Sequence, residues 1–264
     1  MTRWPLWLLL CACKAVDPIP EDADGALHWL WTNLSDGDAA DLAAGVVALD
    51  AALDAANLTD RTDGSISRLT ADQVTPLGVT DRDPADAAAI FLANRIDCDQ
   101  ALVAEIFTHP DQDELYPGIY ESYARTYGDD RDAWLAGDLD TLPWSLDYSA
   151  SVLGSTYTGH TEALLRRVLP DGDAPFAEAH LVRFFAPEPA VFEGESEKTF
   201  EQDYQFEIYW SRDDGLTLHA YGMWRQANWG FGYTSEDEAV QRILLNNMGK
   251  WDDDTEGICA DGGP

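Results

Sequence analysis

Behind Asp38, the apolar positions Leu42, Val46, Leu49 and Leu53 recur at spacings of four, three and four, which predicts an amphipathic helix with Asp38 before it. Asp83 and Pro84 read as the N-cap and first residue of a second helix, carrying Ala87, Ile90, Phe91 and Asn94 on one face. A third, short helix starts just after Cys98, holds Leu102, Val103, Ile106 and Phe107, and ends before Pro110. From Pro143 the period changes to two. Leu146, Tyr148, Ala150 and Val152 alternate with Asp147, Ser149 and Ser151, as do Tyr204, Phe206, Ile208 and Trp210 with Gln205, Glu207 and Tyr209. Both runs predict half-buried strands. Ala179 to Phe185 reads as another strand, and Tyr157 to Val168 fits a strand or a helix. Asp213-Asp214-Gly215 reads as a turn returning the chain antiparallel over Leu216 to Arg225, whose register stays open because both faces are apolar. Ser235 and Glu238 form a capping box for a last helix with the stripe Val240, Ile243, Leu244, Met248 and Trp251. The fold class that follows is α+β: an N-terminal helical region packed on an antiparallel sheet, with a long C-terminal helix.

The chain has 264 residues, enough for a sizeable core, and ten Trp, ten Tyr and nine Phe argue against disorder. Its formal charge of −33 repels phosphate backbones and excludes nucleic acid as a natural partner. No stretch of eighteen apolar residues suggests a transmembrane helix. The chain reads as residues 1–12 of leader, 13–25 of acidic tether, 26–140 of helical region and 141–264 of sheet plus terminal helix, the last two forming one globular unit.

Candidate chemistry is sparse. His28, His109, His160, His180 and His219 show no metal-ligand spacing, no nucleophile elbow occurs, and no catalytic, metal or cofactor site is assigned. Thr59 to Thr70 faintly follows a calcium loop, but Thr59, Arg61 and Thr70 stand where that loop needs acidic ligands, so a polar turn is expected. Asp252-Asp253-Asp254 is expected to face water. Trp224, Trp229, Phe231 and Tyr233, with Gly230 and Gly232, are the candidate ligand platform. Tyr116, Tyr120, Tyr123 and Tyr127 form a second aromatic group, expected at the seam between helices and sheet. With 49 acidic residues, chance pairs abound, so an envelope hydrolase using an acidic pair remains an alternative without nominated residues.

Arg3, the apolar run Trp4 to Leu10 and the segment Leu10-Cys11-Ala12-Cys13 resemble the type II signal peptide and lipobox of bacterial lipoproteins. The resemblance covers thirteen residues, with Cys11 where Ala or Ser is usual. It implies acylation of Cys13 and a membrane partner reached through the lipid anchor. Because Lys14 and not an acidic residue directly follows Cys13, it also implies an outer-membrane lipoprotein of the cell envelope. After such processing only Cys98 and Cys259 remain. In an oxidising compartment the simplest arrangement is one disulfide, the alternative being two separately buried thiols. A strand-rich half closed by one long helix is also similar in outline to helix-grip, START-like folds, which implies a carrier of an apolar ligand. The main expectation is a non-enzymatic binding or structural module.

Overall fold

The computed structural model describes residues 18–55, 61–152, 155–172, 174–194, 197–212 and 215–264. The leader, Cys13 and the Asp213-Asp214 turn positions lie outside these residues. Helix α1 spans Ala23–Asn33 and α2 Ala39–Ala55, followed by strand β1 (Arg61–Ser65), the short helix α3 (Ala71–Val74) and strand β2 (Ala88–Ile96). Helices α4 (Gln100–Phe107) and α5 (Gln112–Leu115) lead to β3 (Tyr120–Tyr127), then α6 (Arg131–Leu135), β4 (Thr141–Val152), β5 (Ser155–Val168) and β6 (Ala179–Phe185). Strands β7 (Val191–Phe192), β8 (Thr199–Ser211), β9 (Thr217–Gly230) and β10 (Tyr233–Thr234) precede helix α7 (Glu238–Ala260). All strands pair antiparallel in the order β1-β2-β9-β8-β6-β5-β4-β3, with β10 on β9 and β7 on β5. No described helix is long and apolar enough to cross a membrane.

The expected α+β class holds, with a long C-terminal helix on an antiparallel sheet. The division at residue 140 does not, because β1, β2 and β3 lie within the region read as helical and belong to the same sheet. The helix read after Asp83 is instead a 3₁₀ turn at Pro84–Asp86 followed by β2. The cause is two-sided burial. Phe91 and Ala93 face the core under α1 and α2, while Ile90 and Leu92 pack with Met223 and Met248, so no polar face marks a period of two. The segment read as a polar turn around Asp63 is the edge strand β1, and its register pairs Arg61 with Asn94.

One face of the sheet is covered by α1 and α2. Asp22 caps α1 through Gly25 N at 2.8 Å, so the fold begins three residues before Ala26. Asp38 accepts from Asp41 N at 2.8 Å at the start of α2, whose Leu42, Val46, Leu49 and Leu53 are all buried as expected. The two helices touch at Gly45, where a Cβ would stand 2.6 Å from Leu30 Cδ2 and 2.9 Å from Trp29 Cζ3. Any side chain there would wedge the pair apart. Beneath them Trp31 meets Tyr204, Phe206 and Trp224 edge-on.

Helix α7 lies on the opposite face. Its N-cap is Asp237, not Ser235: Ser235 is buried and its hydroxyl accepts from Ala227 N at 3.0 Å, while the Asp237 carboxylate accepts from Thr234 N at 2.6 Å. The buried stripe also departs from the sequence reading. Val240 and Met248 are buried, but Ile243 is 53 % exposed, and the inward line continues through Asp252 and Thr255. Cys98 and Cys259 form a disulfide with Cα atoms 5.8 Å apart, tying α7 to the segment before α4. Cys98 is buried in a cluster with Ile96, Val103 and Phe107.

Candidate functional site

The four aromatics expected to form a platform do not meet. Trp224 is fully buried on the α1 face, its Nε1 donating to Ser67 O at 2.8 Å. Trp229 is buried in a separate cluster with Phe192, Phe200, Ala227 and Val240. Phe231 and Tyr233 are 94 % and 51 % exposed at the β9–β10 turn. Strand alternation and the sharp Gly230-Phe231-Gly232 turn, all at positive φ, separate the group.

The second aromatic group does converge, on the α7 face. Tyr116 stacks on Trp251 at 3.9 Å and its hydroxyl meets Thr255 Oγ1 at 2.7 Å, so it joins the segment before β3 to α7 and not the helical half to the sheet. Further along, register on β3, β4 and β5 brings Tyr120, Tyr148 and Tyr157 together: Tyr148 stands edge-on to Tyr120 and to Tyr157, at 5.9 Å each. Gly159 makes room for the Tyr148 ring, since a Cβ there would come within 2.8 Å of Cζ. Tyr120, Tyr148 and Tyr157 are only half-buried as residues, although burial pushes the hydroxyl pKa of each above the usual tyrosine range. Their half-burial between packed clusters outlines a recess.

Strands β8 and β9 form its far wall, and here the polar positions read as solvent-facing turn inward. Asp203 receives Arg225 Nε and Nη2, both at 2.9 Å, in a bidentate pair. Burial works against the Arg225 cation, but the Asp203 carboxylate outweighs it and raises its pKa. Gln205 Nε2 donates to Asp203 Oδ2 at 2.6 Å, and Tyr221 donates to Gln205 Oε1. Buried apolar clusters close the recess at three sides: Phe107 with Trp144, Phe200 with Trp229, and Leu92 with Met248.

Deeper still, His219 is held between two carboxylates. Its Nδ1 is 2.8 Å from Asp252 Oδ1 on α7 and its Nε2 3.4 Å from Glu207 Oε2, while the ring stacks on Tyr209 at 4.2 Å. Asp252 also accepts from Asn94 Nδ2 at 3.1 Å, and Tyr209 donates to Glu207. Asp252 therefore faces the sheet, not water. Burial disfavours the imidazolium, but Asp252 and then Glu207 overcome this and lift His219 to about 9. The group bridges α7 to β8 and β9, so it acts as a clamp. Because the folded pKa exceeds the unfolded value of about 6.5, its stabilisation is complete below that pH and is lost as pH rises through about 9. Urea midpoints should fall across this window in the wild type and show a smaller fall in His219→Gln.

The remaining surface offers less. An open groove of about 460 Å³ on the other face contains the pair His160 Nδ1 and Asp147 Oδ1, 2.7 Å apart and largely exposed. Among the described residues no cluster of three metal-ligating side chains occurs.

An antiparallel sheet packed against one long C-terminal helix is similar in outline to helix-grip, START-like folds. The sequence matches no protein-family model and no curated protein. Among solved structures the chain is similar to dicamba monooxygenase bound to dicamba, at 10 % identity and a TM-score of 0.44, covering 66 % of this chain and 48 % of that one. It thus spans about half the length of that neighbour. The Zhui aromatase/cyclase from Streptomyces sp. R1128 gives 11 % identity, a TM-score of 0.43, and coverage of 67 % of this chain and 99 % of that one. A START superfamily protein from Mycobacterium smegmatis gives 8 % identity, 0.41, and 66 % and 97 %.

Proposed function

We propose that the protein is a non-enzymatic carrier or receptor that holds a small organic ligand in the recess between α7 and the sheet. The observation that carries this reading is that Tyr120, Tyr148, Tyr157 and Tyr221 stay half-buried on a face whose other parts are packed shut. Packed interiors rarely leave such a space without a guest or solvent. The acidic pair flanking His219 supports this reading over a hydrolase, because both carboxylates are committed to His219, Tyr209 and Asn94 and are buried. Native mass spectrometry of protein purified from its own cells tests the reading. A stoichiometric organic adduct lost on Gly159→Leu, which pushes the Tyr148 ring into the recess, is the expected result. An adduct retained by that variant, or absence of any adduct together with failure to bind hydrophobic probes, would overturn it.

We also propose that the carrier is held at the cell envelope by a lipidated Cys13. The support is Arg3, the short apolar run and the Leu10 to Cys13 segment. Labelled palmitate should enter the wild type and not Cys13→Ala, and equal labelling would end the idea.

A further inference from the structure

Resting on the reading that the recess binds a ligand, a hydrogen-bond inventory of its walls says what the ligand must bring. The acceptors are already engaged. Asp203 receives two bonds from Arg225 and one from Gln205, Glu207 receives Tyr209, and Gln205 Oε1 receives Tyr221. The donors are not. Among the described residues the hydroxyls of Tyr120, Tyr148 and Tyr157 make no hydrogen bond, and their raised pKa keeps them protonated at neutral pH. Arg125, on β3 beside Tyr123, uses its terminal nitrogens on Phe107 O at 2.8 Å and Gln112 Oε1 at 3.0 Å, yet its buried Nε has no partner.

The three half-buried tyrosine hydroxyls therefore stand ready to donate to a guest that supplies acceptors, while the Arg125 Nε beside Trp144 is a buried donor that loses hydration and gains nothing in return. Ring geometry adds a shape. Tyr148 stands at 81° and 87° to Tyr120 and Tyr157, which are backed in turn by Tyr123 and by Phe192 and Phe200, so the three rings form a rigid aromatic wall that suits another aromatic. The buried charges of Asp203 and Arg225 cancel within the wall, so the site does not require a cationic guest. We infer that the recess selects a flat aromatic compound bearing oxygen acceptors, a carbonyl or a carboxylate, directed at the unpaired hydroxyls of Tyr120, Tyr148 and Tyr157.

Calorimetric titration of the full chain with naphthalene, 2-acetylnaphthalene and 2-naphthoate tests this. At least one oxygenated probe should bind about ten-fold or more tightly than naphthalene, as two or three net hydrogen bonds would give. The triple variant Tyr120→Phe, Tyr148→Phe, Tyr157→Phe keeps every ring and should erase most of that advantage while leaving naphthalene unchanged. A carbonyl probe that wins places the selection on the hydroxyls, and a carboxylate probe that wins adds the Arg125 cation; each supports the inference. Equal affinity for all three, or an advantage that survives in the triple variant, would overturn it while the binding reading stands. Failure of all three to bind would overturn both.

Discussion

Replacing Met248 with Asp should destabilise the protein by about 4 kcal/mol or more, because the new carboxylate would be buried without a partner. Met248 is 4 % exposed and packs with Ile90, Leu92 and Met223, where α7 meets β2 and β9. Tyr221, which packs against that cluster, already donates its hydroxyl to Gln205, and Asp252 one turn on adds like-charge repulsion. The matched control is Ile243→Asp on the same helix. Ile243 is 53 % exposed, so its substitution should change stability by about 0.5 kcal/mol or less. Urea unfolding of the two variants separates the stripe the structure buries from the one that apolar spacing alone would choose. Similar losses in both would mean that α7 sits differently on the sheet.

Asp203→Ala should cost about 3 to 5 kcal/mol, because it strands the Arg225 guanidinium in the interior. Asp203 is buried and supplies both oxygens to Arg225, and Gln205 loses its acceptor as well. Arg225 also lies over the Phe200 ring at 4.8 Å, which holds it in place rather than letting it escape to water. The double variant Asp203→Leu, Arg225→Met should recover most of the loss, since replacing a whole buried pair with apolar side chains is often neutral. Denaturant curves of the single and double variants give the comparison. A single variant as stable as wild type would show that the pair is solvated.

Much of this architecture is legible because one-sided burial leaves a period in the chain. The α2 stripe and the alternation in β4 and β8 show in the sequence for that reason, and both kinds of element stand where they were expected. Strand β2 was hidden because both its faces are buried, and its alanines at helical spacing imitate a helix. Asp203, Gln205 and Glu207 illustrate a different limit. Their alternation with Tyr204 and Phe206 is correctly a strand pattern, but polarity on one face does not say whether water or a recess lies there. What decides it is the pairing of Asp203 with Arg225 and of Glu207 with Tyr221 across β8 and β9, which no local window contains. A signal was present in β9, where His219, Tyr221, Met223 and Arg225 alternate with Leu218, Ala220, Gly222 and Trp224. Wholly apolar residues on one face, with Ala220 and Gly222 at its centre, and mostly polar ones on the other mark a strand pressed by a helix on its first side and lining a space on its second. The candidate platform at Trp224 to Tyr233 failed for the converse reason, since nearness in sequence placed its members on opposite faces and at an exposed turn.

Ring-labelled tyrosine spectra recorded during titration with 2-acetylnaphthalene test the central claim most directly, because the ten tyrosines are distributed over distinct parts of the fold. The account expects the signals of Tyr120, Tyr148, Tyr157 and Tyr221 to move together and saturably, while Tyr204 beneath α1 and the exposed Tyr233 stay fixed. Shifts confined to Tyr233, or none at any tyrosine of the α7 face, would contradict it.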